Sequence, residues 1–162
     1  MIVVADTTPL NYLILIHEAD LLPRLFGRVL IPPAVYKELQ DLETPDLVRL
    51  WLANAPHWLQ VQSLRLPPDP KLDYLDAGER EAIALAEEWK ADQILIDEMD
   101  ARREAMRRQI PLIGTLGILR KAAQLDWLDL PSTLARLLET AFYVNPDLIR
   151  SLLDEDARRR GR

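Results

Sequence analysis

Four carboxylates fall where the sequence pattern can bring them to one place. Asp6 follows the apolar run Ile2-Val3-Val4-Ala5, and Asp97 follows Gln93-Ile94-Leu95-Ile96. Glu38 borders the buried stripe of a helix that carries Val35, Leu39 and Leu42 at helical spacing, and Glu79 opens an Ala-rich helix. Carboxylates gathered together repel and shift each other's pKa unless a cation joins them. An all-oxygen set suits Mg²⁺ or Mn²⁺. The absence of cysteine, and a histidine complement of His17 and His57 alone, argue against zinc. One or two such ions activate water and stabilise the charge on a phosphodiester. Asp100, one turn after Asp97, is an outer candidate. Thr7 and Thr8 offer hydroxyls beside Asp6, and Thr115 offers one past the last strand.

Each acid also has a plainer reading. Asp6 can satisfy turn N–H groups, and Asp97 can cap the next helix. Asp76-Ala77-Gly78-Glu79 matches a capping box, and Glu38 can snorkel to solvent. Arg102, Arg103, Arg107 and Arg108 cluster after Asp97. They are either phosphate contacts or a solvated face with pairs such as Glu104 to Arg108. A phosphatase that uses an aspartyl nucleophile needs a second Asp two residues on, where Thr8 stands.

The acids need elements to position them. Continuous apolar runs bounded by turn residues predict strands buried on both faces. They lie at residues 2–5, 28–31, 93–96 and 110–113, and the alternating stretch 58–62 predicts an edge strand. Helices are expected over 8–16 (Thr8 as N-cap, Pro9 at the first helical position), 20–26, 34–42, 45–55, 75–90, 98–108, 115–124, 132–141 and 147–154. Strands separated by helices indicate an α/β fold with a parallel sheet of four to five strands between helical layers. In a parallel sheet the ends of the first and fourth strands share one edge, so Asp6 and Asp97 can converge. The expected organisation is a single domain over 1–155, with 131–155 a C-terminal helical extension and 156–162 a disordered tail.

The 162 residues are 49% hydrophobic and 28% charged, as in an ordinary globular protein. A net charge of −6 makes any nucleic-acid contact local and not general. No stretch is apolar enough to span a bilayer, and the N-terminus lacks the pattern of a signal peptide, so a cytoplasmic location is expected.

Taken in order, Asp6-Thr7-Thr8-Pro9-Leu10, Ile31-Pro32-Pro33-Ala34-Val35-Tyr36-Lys37-Glu38-Leu39, Gly78-Glu79-Arg80-Glu81-Ala82-Ile83-Ala84-Leu85-Ala86 and Ile94-Leu95-Ile96-Asp97 resemble a PIN domain. More narrowly, they resemble the PIN-like proteins related to VapC toxins of toxin–antitoxin pairs. The resemblance spans about residues 1–125. It implies a three-layer α/β/α fold with a five-stranded parallel sheet, and Mg²⁺- or Mn²⁺-dependent cleavage of RNA. Asp6, Glu38, Glu79 and Asp97 would be the catalytic metal-binding acids, and Thr7 the hydroxyl beside the first of them. From the residues themselves, Asp100 is an outer metal-ligand candidate, and Thr7, Arg103 and Thr115 are candidate substrate contacts. The implied partners are RNA, a small antitoxin protein and a second copy of the chain. The family's third acid is commonly Asp where Glu79 stands, and a usual Thr is replaced by Leu95. The alternative is a weakly active or inactive PIN-like module that acts mainly by binding a small partner protein.

Overall fold

In the computed structural model, which describes residues 1–161, the run Ile2–Ala5 forms the central strand β1. The chain continues through helices α1 (Thr7–Leu15) and α2 (Leu21–Phe26) to strand β2 (Arg28–Ile31). Helices α3 (Pro33–Leu39) and α4 (Asp46–Ala53) then lead to strand β3 (Leu59–Val61). A 3₁₀ turn at Pro70–Leu72 precedes helix α5 (Ala77–Glu88) and strand β4 (Gln93–Leu95). Helix α6 (Met99–Arg107), strand β5 (Leu112–Ile113) and helices α7 (Thr115–Gln124), α8 (Leu130–Leu138) and α9 (Pro146–Arg159) complete it.

The five strands pair in parallel in the order β3-β2-β1-β4-β5. The chain builds outward from β1 to one edge, then crosses to build β4 and β5 on the other side. β1 and β4 therefore flank the point where the winding reverses, and a crevice opens at their carboxyl ends. The fold is a parallel sheet between helices, the PIN-like three-layer α/β/α arrangement expected from the sequence.

Register explains the apolar runs. Val4 aligns with Leu30 on β2 and with Ile94 on β4. These three share a core with Ala82, Ile83 and Ala86 of α5 and Ala101 and Ala105 of α6. Successive strand residues point to opposite faces. Val3, Ala5, Val29 and Leu95 thus face the other way and are also wholly buried. Each fully buried Val, Leu or Ile contributes about 1.5–3 kcal/mol. Alanines at the α5 contact let the helix axis lie close to the sheet. Gly27 ends α2 with a φ of 79°.

Several helix ends differ from the sequence expectation for identifiable reasons. α1 starts at Thr7 with Asp6, not Thr8, at the N-cap position. The Asp6 N–H still bonds to the Leu95 carbonyl at 2.9 Å, so the sheet ends and the helix begins on the same residue. Pro9 consequently lies in the first turn, where its missing N–H costs nothing. α3 stops at Leu39 instead of residue 42 because the Thr44 hydroxyl donates to the Glu38 carbonyl (2.8 Å) and Asp41 accepts from the Glu43 N–H (2.9 Å).

The chain divides into two compact units, Met1–Thr115, which contains the sheet, and the residues from Leu116 onward. Within the second unit α8 buries Leu130, Leu134 and Leu137, and α9 buries Ile149 and Leu152. Arg120 on α7 pairs with Glu155 on α9 at 2.8 Å. Within the tail expected to be disordered over 156–162, residues 156–159 instead form the last turn of α9. Asp156 is 4% exposed, and Arg159 (3.0 Å) and Arg160 (3.3 Å) neutralise it. A buried carboxylate needs such partners, and they hold the helix through Arg159. The final residue of the expected tail, Arg162, lies outside the described residues. Among the described residues no helix is long and apolar enough to cross a membrane.

Candidate active site

Asp6 stands at the winding-reversal point. Its side chain is 4% exposed and its Oδ1 atom has no hydrogen-bond partner among the described residues. Burial raises its pKa well above the usual carboxylate range, against the opposing pull of the Thr7 N–H. The charges of Asp76, Glu79 and Glu38 raise it further. A buried, unpartnered carboxylate oxygen surrounded by other acids is unfavourable in its ionised form unless a cation occupies the neighbourhood.

Glu38 is half-buried and held in place from two sides. The Thr7 hydroxyl donates to its Oε2, and the Gly78 N–H donates to its Oε1 at 3.0 Å. The carboxylate therefore rests on the first turn of α5, where the helix dipole favours an anion. The close approach requires a glycine: a Cβ on Gly78 would lie 2.6 Å from Oε2 and 2.7 Å from Oε1.

Glu79 and Asp76 form the capping box that the sequence suggests. Asp76 accepts from the Glu79 N–H at 2.8 Å, and Glu79 accepts from the Asp76 N–H at 3.1 Å. Capping does not exhaust Glu79. It is 6% exposed, and its carboxyl is pushed up to about 7 by burial first, with the charges of Asp76 and Glu98 adding to the rise. Asp76 is a site acid that the sequence reading left as a cap only. The reciprocity of the capping box was the available signal, because it forces the two carboxylates side by side.

Asp97 lies just past β4 and turns toward Thr115. Its Oδ1 accepts from the Thr115 N–H (2.8 Å) and its Oδ2 from the Thr115 hydroxyl (2.6 Å). Burial still raises its pKa, while the two Thr115 bonds and the charge of Arg102 oppose the rise. Glu98, not Asp97, caps α6, accepting from the Ala101 N–H at 3.0 Å. Thr115→Val is expected to cost about 1–2 kcal/mol at neutral pH, because Thr115 is wholly buried and the lost bond is to a charged acceptor. The bond favours ionised Asp97, so its contribution disappears as pH falls through the raised pKa. Urea unfolding of both proteins from pH 7 to pH 4 should show the gap narrowing; a constant gap would contradict the assignment.

The remaining candidates separate. Thr7 and Thr115 each hold a site carboxylate. Asp100 and Arg103 are both exposed and pair with each other at 3.5 Å. Arg107 pairs with Glu104 (3.2 Å). Arg108 pairs with Glu104 (2.8 Å), Glu87 (2.8 Å) and Asp69 (3.2 Å). A groove of about 360 Å³ adjoins the site, lined in part by Thr7, Asn11, Tyr12, Glu38, Asp41 and Glu43.

Among the described residues no group of three or more Asp, Glu or His side chains is gathered tightly enough to enclose a metal ion. The donor set nonetheless fits a hard divalent cation. It consists of oxygen alone, and Asp6 Oδ1 is a buried atom left without a partner. Glu38 and Asp97 are already oriented by hydroxyl and N–H donors, as ligands to such ions commonly are.

A helix-covered parallel sheet with buried acids at its winding-reversal point defines an α/β protein of the acid-centred type. The family model described as DUF3368, a PIN domain, matches residues 2–157, and the chain belongs to the PIN-domain family. That fold is generally a metal-dependent nuclease. Among solved structures, a PilT N-terminus domain protein from the hyperthermophilic archaeon Sulfolobus solfataricus is similar to the chain. The two are 17% identical with a TM-score of 0.51, over 90% of this chain and 100% of the other, a likeness of fold. No curated protein matches the chain significantly.

Proposed function

We propose that the protein is a Mg²⁺- or Mn²⁺-dependent endoribonuclease. More narrowly, we read it as the cytoplasmic toxin of a type II toxin–antitoxin module that binds a small antitoxin protein and forms a homodimer. The observation that carries the nuclease reading is Asp6: a buried carboxylate with one unpartnered oxygen, crowded by Glu38, Glu79 and Asp76. Asp6, Glu38, Glu79 and Asp97 would hold the cation, and Asp100 would stay in the outer shell. When bound, the cation supplies an activated water and charge stabilisation at the phosphate. The protein's own part is orientation. Thr7 and Gly78 aim Glu38, Thr115 aims Asp97, and burial keeps Asp6 out of bulk water.

Glu79 makes the cation's affinity pH-dependent. Its carboxyl is pushed up to about 7, so near neutrality about half of the metal-free molecules carry a proton there. Metal binding must release it. The apparent affinity for Mn²⁺ should therefore rise from pH 6 to pH 8, with proton uptake by the buffer. Titration of Mn²⁺ and Mg²⁺ against a single-stranded RNA at several pH values reads both effects. Wild-type protein that neither binds metal nor cleaves RNA would remove the nuclease reading.

A second reading has its own support. The acids are not gathered into a ready-made metal site, which favours a weakly active module that works by binding a small partner protein. Tight partner binding without metal uptake or cleavage would select it.

A further inference from the structure

We propose that Arg102 is the phosphate-binding residue of this site, its guanidinium taking a non-bridging oxygen of an RNA phosphate beside Asp97. The proposal rests on the nuclease reading for its substrate and on Arg102's own surroundings for its argument.

Helix α6 and its C-terminal cap, Arg108, together carry four arginines, and three are neutralised. Arg103 pairs with Asp100, Arg107 with Glu104, and Arg108 with Glu104, Glu87 and Asp69. Arg102 differs. It is half-buried, it forms no ion pair among the described residues, and its Nη1 donates at 3.0 Å to the Ile96 carbonyl at the end of β4. That bond points the guanidinium at the sheet edge where Asp6 and Asp97 lie. Its charge reaches Asp97 and opposes the rise in that group's pKa, yet the two are not paired.

The approach is built into the backbone. A Cβ on Gly114 would lie 2.6 Å from Arg102 Nη1 and 2.6 Å from Asp97 Oδ1. Only a residue without a side chain leaves both groups room on the same side of the turn after β5. A guanidinium has five N–H donors in a planar fork. One is used by Ile96, and no other protein acceptor takes the rest. A partly buried guanidinium that is near a carboxylate but not paired with it keeps N–H donors free for a further anion. The matching ligand is a planar or tetrahedral oxyanion, which the fork can take through two parallel hydrogen bonds. The chain's net charge of −6 gives no general attraction for RNA, so a positioned cation is what such a site requires.

The test is RNA binding by the full chain without metal, in EDTA, read by fluorescence anisotropy of a single-stranded oligonucleotide over about 50–200 mM salt. One phosphate contact to a single strand contributes about 0.7 to the slope of log affinity against log salt. Arg102→Gln should lower the slope by about that amount and weaken binding about tenfold at the lowest salt. Arg107→Gln, which removes an ion-paired arginine of the same helix, should leave the slope unchanged. Arg102→Lys keeps the charge and loses the fork, so it should keep the slope while binding less tightly. A purely structural arginine would change stability without changing the slope. A folded Arg102→Gln protein with the wild-type slope would overturn the proposal. If the Gln variant does not fold, a folded Lys variant with wild-type affinity would overturn it, as would a wild-type protein with no salt-dependent binding. Cleavage is not measured, so failure of the nuclease reading would show separately, in the metal titration.

Discussion

Asp6→Asn is expected to lower RNA cleavage by at least about 100-fold while making the metal-free protein more stable. The first effect follows from removing the central acid. Perturbing even the residues that orient a metal's ligands costs about 10–100-fold. The second follows from the state of Asp6. Burial and the charges of Asp76, Glu79 and Glu38 raise its pKa above the unfolded value near 3.9. Below that value both states hold the proton, and the charge costs nothing. As pH rises from there through the raised folded value, the unfolded chain ionises freely and the folded chain does not, so stability falls. Asparagine has nearly the same shape and carries no charge. Its advantage should grow from about pH 4 toward pH 7, with a gain of roughly 2–4 °C in Tm for each kcal/mol recovered. Adding Mg²⁺ should reverse the order. A ligand at 100 times its Kd stabilises by about 2.7 kcal/mol, and only the wild-type protein would benefit fully. Thermal unfolding of both proteins with and without Mg²⁺ checks this. Equal stabilisation by Mg²⁺ would rule out Asp6 as a ligand.

Gly78→Ala should separate position from stability in the same way. In the first turn of a helix, alanine is ordinarily favoured over glycine by up to about 1 kcal/mol. Here the added Cβ would fall 2.6 Å from Glu38 Oε2. That oxygen is the far end of a flexible side chain, so the carboxylate can swing away without moving backbone. The Gly78 N–H and Thr7 hydroxyl bonds are lost in the process. Unfolding free energy should stay within about 1 kcal/mol of wild type, because the propensity gain offsets the lost bonds. Cleavage and Mn²⁺ affinity should fall about 10–100-fold, as for other losses of ligand orientation. Wild-type cleavage in a folded Gly78→Ala protein would show that Glu38 has no part in the site.

The amino-acid sequence by itself determined the architecture. Ile2–Ala5 is apolar throughout and Arg28–Ile31 at every position but its first, and only a sheet covered on both faces buries such runs. Alternation of such runs with helices requires parallel crossovers, which place Asp6 and Asp97 toward one edge. The capping box at Asp76 and Glu79 was also legible, because it depends on residues three apart. Tertiary structure decided what depends on atoms distant in sequence. α9 persists because Arg160 donates to the Leu128 carbonyl, and Glu38 is fixed by the N–H of Gly78. Local propensity contains neither contact. The same limit applies within the site. Arg102 and Arg103 are adjacent and chemically identical, and the sequence reading singles out Arg103, the one that the structure leaves exposed. About 100° of helical rotation turns one toward the Ile96 carbonyl and Asp97, and the other toward solvent and Asp100. Asp6 itself was visible as an acid at a strand end. Its burial, its unpartnered oxygen and its acidic neighbours arise only when α3 and α5 close over the end of β1, because packing, not sequence spacing, sets the distances on which electrostatic energy depends.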